Sequence, residues 1–274
     1  MKLAIEKWLV DSEKVIDVEN VRKLKIALIR GKVDVIGHDE PTARIEVHSV
    51  HGKPLLVSLE NETLTIDHPQ IGWEDFIQVF TNFKGSARAD VSVLVPKDVA
   101  LNLGVVSANA LVSGLTEEAR INTVSGDVVV DNVYGDVDLK SVSGETAVRN
   151  HYGNVTAKSV SGDITASGEI MQFSSNSVSG DAFADIKGTP DKVSLRTVSG
   201  EVTVRLEAGV PARYKVNTIS GRLNLDDSEI TGVKGQFTGK FGELSGSWAD
   251  LTVSTVSGDI TVVHSTDATS KVAK

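Results

Sequence analysis

The chain has 274 residues, no cysteine and a formal net charge of −9, which excludes disulfides, thiolate catalysis and cysteine-ligated metals. A general affinity for nucleic acid or for anionic lipid headgroups is disfavoured, because charges of the same sign repel. Charged residues interrupt the first 15 positions, so we expect neither a signal peptide nor direct membrane insertion. As written, the sequence predicts a cytoplasmic protein that comes close to a membrane only through a partner.

Residues 1–96 contain several short apolar segments typical of strands, among them Leu24 to Ile29, Ala43 to His48 and Asp90 to Val95. No linker rich in proline or serine separates this region from the rest of the chain. We therefore expect irregular coils and a cap of one continuous solenoid.

Residues 70–85 interrupt the strand pattern with most of the bulky aromatic side chains of the chain. Their spacing favours one face of a short helix. This segment is either a lid over the solenoid or a partner-binding patch, and the candidate contact residues are Trp73, Phe76, Phe80 and Phe83.

Residues 97–264 carry a repeat whose core is Val-Ser-Gly-Asp, and its serines Ser125, Ser143, Ser161 and Ser179 are 18 residues apart. A glycine at the same place in every Val- and Thr-rich unit disfavours a helix by about 1 kcal/mol per glycine and suits a strand that ends in a tight corner. The predicted structural corners are Ser125, Gly126, Asp127, Ser143, Gly144, Glu145, Ser161, Gly162, Asp163, Ser179, Gly180, Asp181, Ser199, Gly200, Glu201, Ser220, Gly221, Ser257, Gly258 and Asp259.

Apolar or small residues recur six and four positions before each corner serine, and three and five positions after it. This period of two indicates strands with one buried face, and the phase changes at the corner, where the chain must bend. The fold class that follows is all-β: a single-stranded parallel β-helix with coils of about 18 residues, each packed only against the next.

Two segments near the end of the chain lack the repeat. Residues 226–250 contain five glycines and are expected to form a protruding loop or hairpin ahead of the last coil. Residues 265–274 have no apolar pattern and are expected to form a flexible tail.

With its Val-Ser-Gly-Asp corners followed by alternating strands, the chain resembles the bacterial putative-adhesin family of β-helix proteins, which is related to Toastrack-type repeats. The resemblance is clear over residues 97–264 and looser before them. It implies a right-handed β-helix with a role in adhesion, or in sensing and scaffolding in a cell-envelope or envelope-stress system. It implies no catalytic residue.

The residues themselves offer two kinds of chemistry. Stacked corner carboxylates form a column that Ca²⁺ could bind, but Arg222 interrupts it, and capping of the turns explains it better. A carbohydrate-binding or carbohydrate-cleaving β-helix is the alternative function, for which Asp136, Asp138, Lys140, Arg149 and Lys158 are outward-facing candidates. The prediction is a non-enzymatic scaffold, without metal or cofactor, that binds a protein partner or itself.

Overall fold

In a computed structural model, which describes residues 5–68, 87–226, 228–230 and 235–266, every regular element is a β-strand. The chain divides into two compact units, Met1–Glu145 (unit 1) and Thr146–Lys274 (unit 2). The all-β class is therefore confirmed for the described residues.

The described residues of unit 1 contain eleven strands, and the first seven belong to the region without corner motifs. They are β1 (Glu6–Val10), β2 (Lys14–Glu19), β3 (Lys23–His38), β4 (Thr42–His51), β5 (Leu55–Glu60), β6 (Thr63–Asp67) and β7 (Arg88–Pro96). The corner region of unit 1 supplies β8 (Ala100–Ser113), β9 (Ala119–Ser125), β10 (Val128–Asp131) and β11 (Val137–Ser143).

The coils of unit 1 stack in parallel and in register. Strand β3 pairs with β8 over both of its halves, β8 pairs with β9 and β10, and β9 pairs with β11 so that Ser125 lies opposite Ser143. A register of one serine on the next is what an 18-residue coil requires, and the stacked-coil prediction is confirmed here.

The prediction for residues 1–96 is partly wrong, because four of their strands run antiparallel to their neighbours. Strands β1 and β5 extend one side of the unit beyond β6, while β2 and β4 extend the other beyond β7. A local turn explains the β5–β6 hairpin: Asn61 and Glu62 both have positive φ, 48° and 60°, as a two-residue type I′ turn requires.

Eleven strands also lie in the described part of unit 2. They are β12 (Thr146–Ser161), β13 (Ile164–Ser179), β14 (Ala182–Ile186), β15 (Lys192–Ser199), β16 (Val202–Leu206), β17 (Ala212–Ser220), β18 (Leu223–Leu225), β19 (Ser228–Ile230), β20 (Gly235–Phe241), β21 (Ala249–Ser257) and β22 (Ile260–His264).

Each coil of unit 2 contributes one strand segment to each of two sheets. Sheet A has the order β12, β13, β15, β21, β17, β20, and sheet B has the order β12, β13, β14, β16, β22, β18, β19. The long strands β12 and β13 bend and belong to both sheets.

The stacking order of unit 2 departs from the order of the chain. The last coil, β21 and β22, lies between the coil of β15 and β16 and the coil of β17 and β18. The prediction that each coil packs on the next in sequence is therefore wrong for the last two coils. Both coils carry apolar residues at their inward positions, such as Val216 and Val253.

Residues 226–250 were predicted to protrude ahead of the last coil, and the described part does not. Strand β20 pairs antiparallel with β17, and β19 pairs antiparallel with β18. Both therefore cover the terminal coil, whose ladder groups would otherwise remain open.

The core of each unit consists of the inward positions that the period of two predicts. Residues six positions before the corner serine are buried in every coil, namely Leu101, Ala119, Val137, Val155, Phe173, Val193, Tyr214 and Leu251. Those three positions after it are buried as well, at Ala110, Val128, Thr146, Ile164, Ala182, Val202, Leu223 and Ile260. Identical positions thus stack from coil to coil, at the roughly 4.8 Å spacing of paired strands.

Candidate interaction surface

At most corners the glycine has both a positive φ and a very close backbone neighbour. The φ of Gly200 is +133°, and a Cβ built on it would lie 2.2 Å from the carbonyl oxygen of Gly180. Gly258 meets Gly200, and Gly221 meets Gly258, in the same way. A side chain is therefore excluded both by conformation and by the adjacent coil.

The acidic residue of each corner caps the neighbouring coil. In unit 1 the Oδ1 atom of Asp127 accepts a hydrogen bond from the backbone N–H of Glu145 at 3.1 Å. In unit 2 Asp163 accepts from Asp181, and Asp181 from Glu201, at 2.8 Å each. Asn109 takes the same role toward Asp127, so the position requires an oxygen acceptor and not a negative charge.

The corner serines form a second set of bonds between coils. The hydroxyl of Ser143 donates to the carbonyl of Val124, and that of Ser179 donates to the carbonyl of Val160. Several of the small hydroxylated residues two positions before a corner serine donate to the carbonyl of that serine, as Thr197 does to Ser199 at 3.0 Å.

These bonds give the corner residues a structural use. Asp259 also binds the guanidinium of Arg222, which lowers the pKa of its carboxyl group, so the arginine that interrupts the acidic column pairs with it. Within the described residues no group of three or more potential metal ligands is present. The corner residues hold coils together, so a binding surface is expected on the outer faces of the sheets.

Sheet A of unit 2 presents a row of exposed aliphatic side chains that sequence reasoning overlooked. The valine or isoleucine immediately before each corner serine points outward and is 44–66% exposed: Val160, Val178, Val198, Val256 and Ile219. The outward direction of this residue could have been recognised from the sequence, because its position is out of phase with the buried positions. It was missed because it was treated only as part of the corner signature.

Three polar rows lie beside this aliphatic row on the same sheet face. The row two residues away joins Lys158, Asn176, Arg196, Ser254, Asn217 and Gln236. The next joins Thr156, Ser174, Ser194, Thr252, Lys215 and Thr238. The farthest joins Asn154, Gln172, Lys192, Asp250, Arg213 and Lys240. We call the four rows together the basic–aliphatic surface.

Cations dominate the basic–aliphatic surface. Its one carboxylate, Asp250, is bound by Arg213 through two hydrogen bonds of 2.6 and 2.8 Å. Within the described part of the chain, the other cations have no carboxylate within salt-bridge distance: Lys158, Lys192, Arg196, Lys215 and Lys240. Side chains of this kind are available to an anionic partner.

A groove of about 720 Å³ lies in the polar rows of this surface. Lys192, Lys215 and Lys240 line it, and Leu244 and Asp191 contribute to its border. The Arg213 guanidinium lies 6.0 Å from the centre of the Trp248 ring, a cation–π distance. The groove adds shape to the positive charge, and an indole ring lies beside one of its cations.

The other predicted candidates lie on separate strands. Asp138 and Lys140 are neighbours on β11, with their charged atoms 3.7 Å apart, while Arg149 and Lys158 lie on β12 of unit 2, where Lys158 belongs to the basic–aliphatic surface. A ring stack joins Phe241 to His264. The aromatic patch of Trp73, Phe76, Phe80 and Phe83 lies outside the described residues, so its assignment as lid or partner surface stays a prediction.

No curated protein matches the chain. Among the described residues, no helix is long and apolar enough to cross a bilayer. The chain is similar to the structure of a putative adhesin from Bacteroides fragilis, at 13% identity and a TM-score of 0.47 over 92% of this chain and 99% of that one.

Two structures from Parabacteroides distasonis are similar as well. One is a putative adhesin, at 14% identity and a TM-score of 0.47 over 95% of this chain and 97% of that one. The other is a putative lipid binding protein, at 12% identity and a TM-score of 0.41 over 92% and 97%. In sequence, residues 111–206 match the family Toastrack DUF4097. The resemblance predicted from the Val-Ser-Gly-Asp corners is thereby confirmed: these residues carry the Toastrack pattern.

Proposed function

We propose that this protein is a non-enzymatic, adhesin-like β-solenoid scaffold that binds a protein partner or a second copy of itself in a bacterial cell-envelope or envelope-stress system. Its coils are single-stranded and right-handed in this proposal, which the strong preference of parallel crossovers for that hand supports. The corner carboxylates and hydroxyls bond to adjacent coils, so the surfaces left for function are sheet faces and strand edges.

The observation that carries the proposal is the outer edge of β20. Within the described residues β20 pairs with β17 on one side and with no strand on the other. A seven-residue strand of this kind, Gly235–Phe241, offers backbone N–H and C=O groups to an incoming strand. Pairing of β20 with the same strand of a second copy would be isologous, as most homodimer interfaces are.

The test uses the fact that the chain has no cysteine. In an antiparallel β20–β20 pair the central residue, Thr238, faces its own copy, so Thr238→Cys should give a covalent dimer with a short bis-maleimide. Thr203→Cys, on the outward face of the internal strand β16, is the matched control and should stay monomeric. Light scattering over a range of concentrations measures self-association without a reagent.

A protein partner is tested with the same variant. Thr238→Cys carrying a photoreactive maleimide should capture one defined protein from an envelope fraction, and Thr203→Cys should not. The predicted patch is tested separately, since serine at Trp73 and Phe76 should abolish capture if that segment contacts the partner. A protein that stays monomeric and captures nothing at either place would overturn the proposal.

A further inference from the structure

The charge of the basic–aliphatic surface is opposite to that of the whole chain. The formal net charge is −9, yet this surface contains six cations and one carboxylate: Lys158, Lys192, Arg196, Arg213, Lys215, Lys240 and Asp250. Net charge governs long-range repulsion, but a local patch determines contact, since charges beyond about 10 Å are screened at 0.1 M salt. The patch therefore selects a negatively charged partner.

The aliphatic row narrows the choice of partner. Val160, Val178, Val198, Val256 and Ile219 lie one coil apart, and lysine or arginine occurs in the neighbouring row at Lys158 and Arg196. A soluble polyanion would pair with the cations but leave the valines in water. An apolar protein surface would cover the valines but leave the lysines unpaired.

An anionic bilayer surface offers both kinds of contact in one plane. Its phosphate groups attract lysine and arginine by about 1 kcal/mol each near the surface, and the headgroup–acyl boundary accepts shallow apolar side chains. The flexible stems of the lysines let their ammonium groups reach the headgroups while the sheet lies flat on them.

We propose that the basic–aliphatic surface of unit 2 binds the surface of anionic phospholipid membranes peripherally. The cations bind headgroup phosphates, and the aliphatic row enters the boundary between headgroups and acyl chains. This contact uses the face of sheet A and does not depend on the edge of β20, so it adds a lipid partner to the scaffold function proposed above.

The experiment is co-sedimentation of the full chain with vesicles of phosphatidylcholine alone or mixed with phosphatidylglycerol. Binding should require phosphatidylglycerol and should weaken as salt rises. Lys192→Glu, Lys215→Glu and Lys240→Glu together should weaken binding at least about a hundredfold. The control, Lys7→Glu, Lys14→Glu and Lys187→Glu, makes the same change in net charge at exposed positions outside the surface and should bind like the unaltered chain.

A second pair of variants tests the aliphatic row. Val178→Ser with Val198→Ser should weaken vesicle binding by about fivefold, because two apolar membrane contacts are lost. The fold should tolerate the change, because about half of each valine side chain is already exposed in the free protein. Thr165→Ser with Thr203→Ser on sheet B is the control. Circular dichroism establishes that each variant retains its strands.

Three results would overturn the proposal. The first is equal binding to neutral and anionic vesicles. The second is an equal loss of vesicle binding in the control variant with Lys7, Lys14 and Lys187 replaced. The third is binding of soluble polyphosphate that is as tight as vesicle binding and is unchanged by the valine substitutions. If inorganic phosphate at equal phosphorus concentration prevented vesicle binding, the cations would be assigned to the binding of a free anion. The vesicle assay uses no crosslinker and the Thr238→Cys assay uses no lipid, so the two proposals fail independently.

Discussion

The coils of unit 2 and the first seven strands of unit 1 achieve burial in different ways. In unit 2, each inner strand pairs in parallel with a strand that carries the same corner, as β15 does with β21. In unit 1, strands without that corner also pair in parallel, as β3 does with β6 and β7, but they add antiparallel neighbours, as β5 does to β6. The comparison shows that alternation alone does not fix strand direction, because both regions alternate, whereas strands that share the corner stack in parallel with one another.

Buried polar groups lack partners in both regions of the chain. His68, directly after β6, is fully buried, and neither ring nitrogen has a hydrogen-bond partner among the described residues. In the repeat, the buried hydroxyl oxygens of Thr123, Ser159 and Thr255 have no partner there either. The corner serines and aspartates bond across coils, but at positions that are at least partly exposed.

The largest expected effect comes from adding one methyl group at a corner. Gly200→Ala should lower the free energy of unfolding by about 4 kcal/mol, because the new Cβ collides with the backbone and the φ of this residue excludes side chains. Gly188→Ala is the matched control, since Gly188 has φ +71° and no atom within 4 Å of a built Cβ. It should lose only about 1 kcal/mol.

Urea unfolding followed by circular dichroism measures both variants. Equal losses for Gly200→Ala and Gly188→Ala would mean that conformation alone, and not contact between coils, explains the corner glycines.

Acid should affect the irregular region through His68. Burial lowers the pKa of His68 to about 4, whereas the unfolded chain has the ordinary value near 6.5. Between these values only the unfolded state binds the proton, so stability is complete above pH 6.5 and falls as the pH drops toward 4. At pH 5 the loss is about 2 kcal/mol.

Replacing His68 with leucine should remove that acid loss. His68→Leu keeps the volume and buries no unpaired nitrogen, so its stability at pH 7 should be unchanged or higher, and its stability at pH 5 should exceed that of the unaltered chain. Asp67 acts in the opposite direction in more acidic solution, because burial raises its pKa. An identical pH profile for the two chains would contradict the role of His68.

A smaller effect is expected at the corner acceptor. Asp181→Ala leaves the backbone N–H of Glu201 without its acceptor and should cost about 1 kcal/mol. Asp181→Asn keeps an oxygen at that place, as Asn109 already does in unit 1, and should lose less than half as much. If Asn and Ala cost the same in urea unfolding, the carboxylate charge would be the essential feature.

No effect is expected from chelation. The corner carboxylates already accept backbone N–H groups, so removing Ca²⁺ with EDTA should leave the melting temperature of the full chain unchanged. A fall in melting temperature with EDTA, reversed by added Ca²⁺, would identify the acidic column as a metal site.

Much of the fold could be predicted because every repeat carries the same local sequence signals. Val-Ser-Gly-Asp marked the bends, and alternation separated buried Leu195 from exposed Arg196. The basic–aliphatic surface could not be recognised in this way, since its rows join β15, β21, β17 and β20, which are adjacent in space and distant along the chain.

The order of the coils was beyond prediction for a related reason. A repeat specifies which strands match, but equal inward residues such as Val216 and Val253 do not specify which coil lies inside. Which coil lies inside depends on the connections between strands. Strands β19 and β20 cover the coil of β17 and β18, so β21 and β22 occupy the inner place.

The inner place of β21 and β22 has a consequence for synthesis on the ribosome. A solenoid stacked in chain order can consolidate layer by layer as it emerges, but here the layer beneath β17 is translated after it. Until residues 249–264 have left the exit tunnel, β15 and β17 lack the strand that joins them. A premature stop before residue 249 would thus leave both β15 and β17 without their shared partner strand, whereas trimming a terminal layer removes a partner from one strand alone.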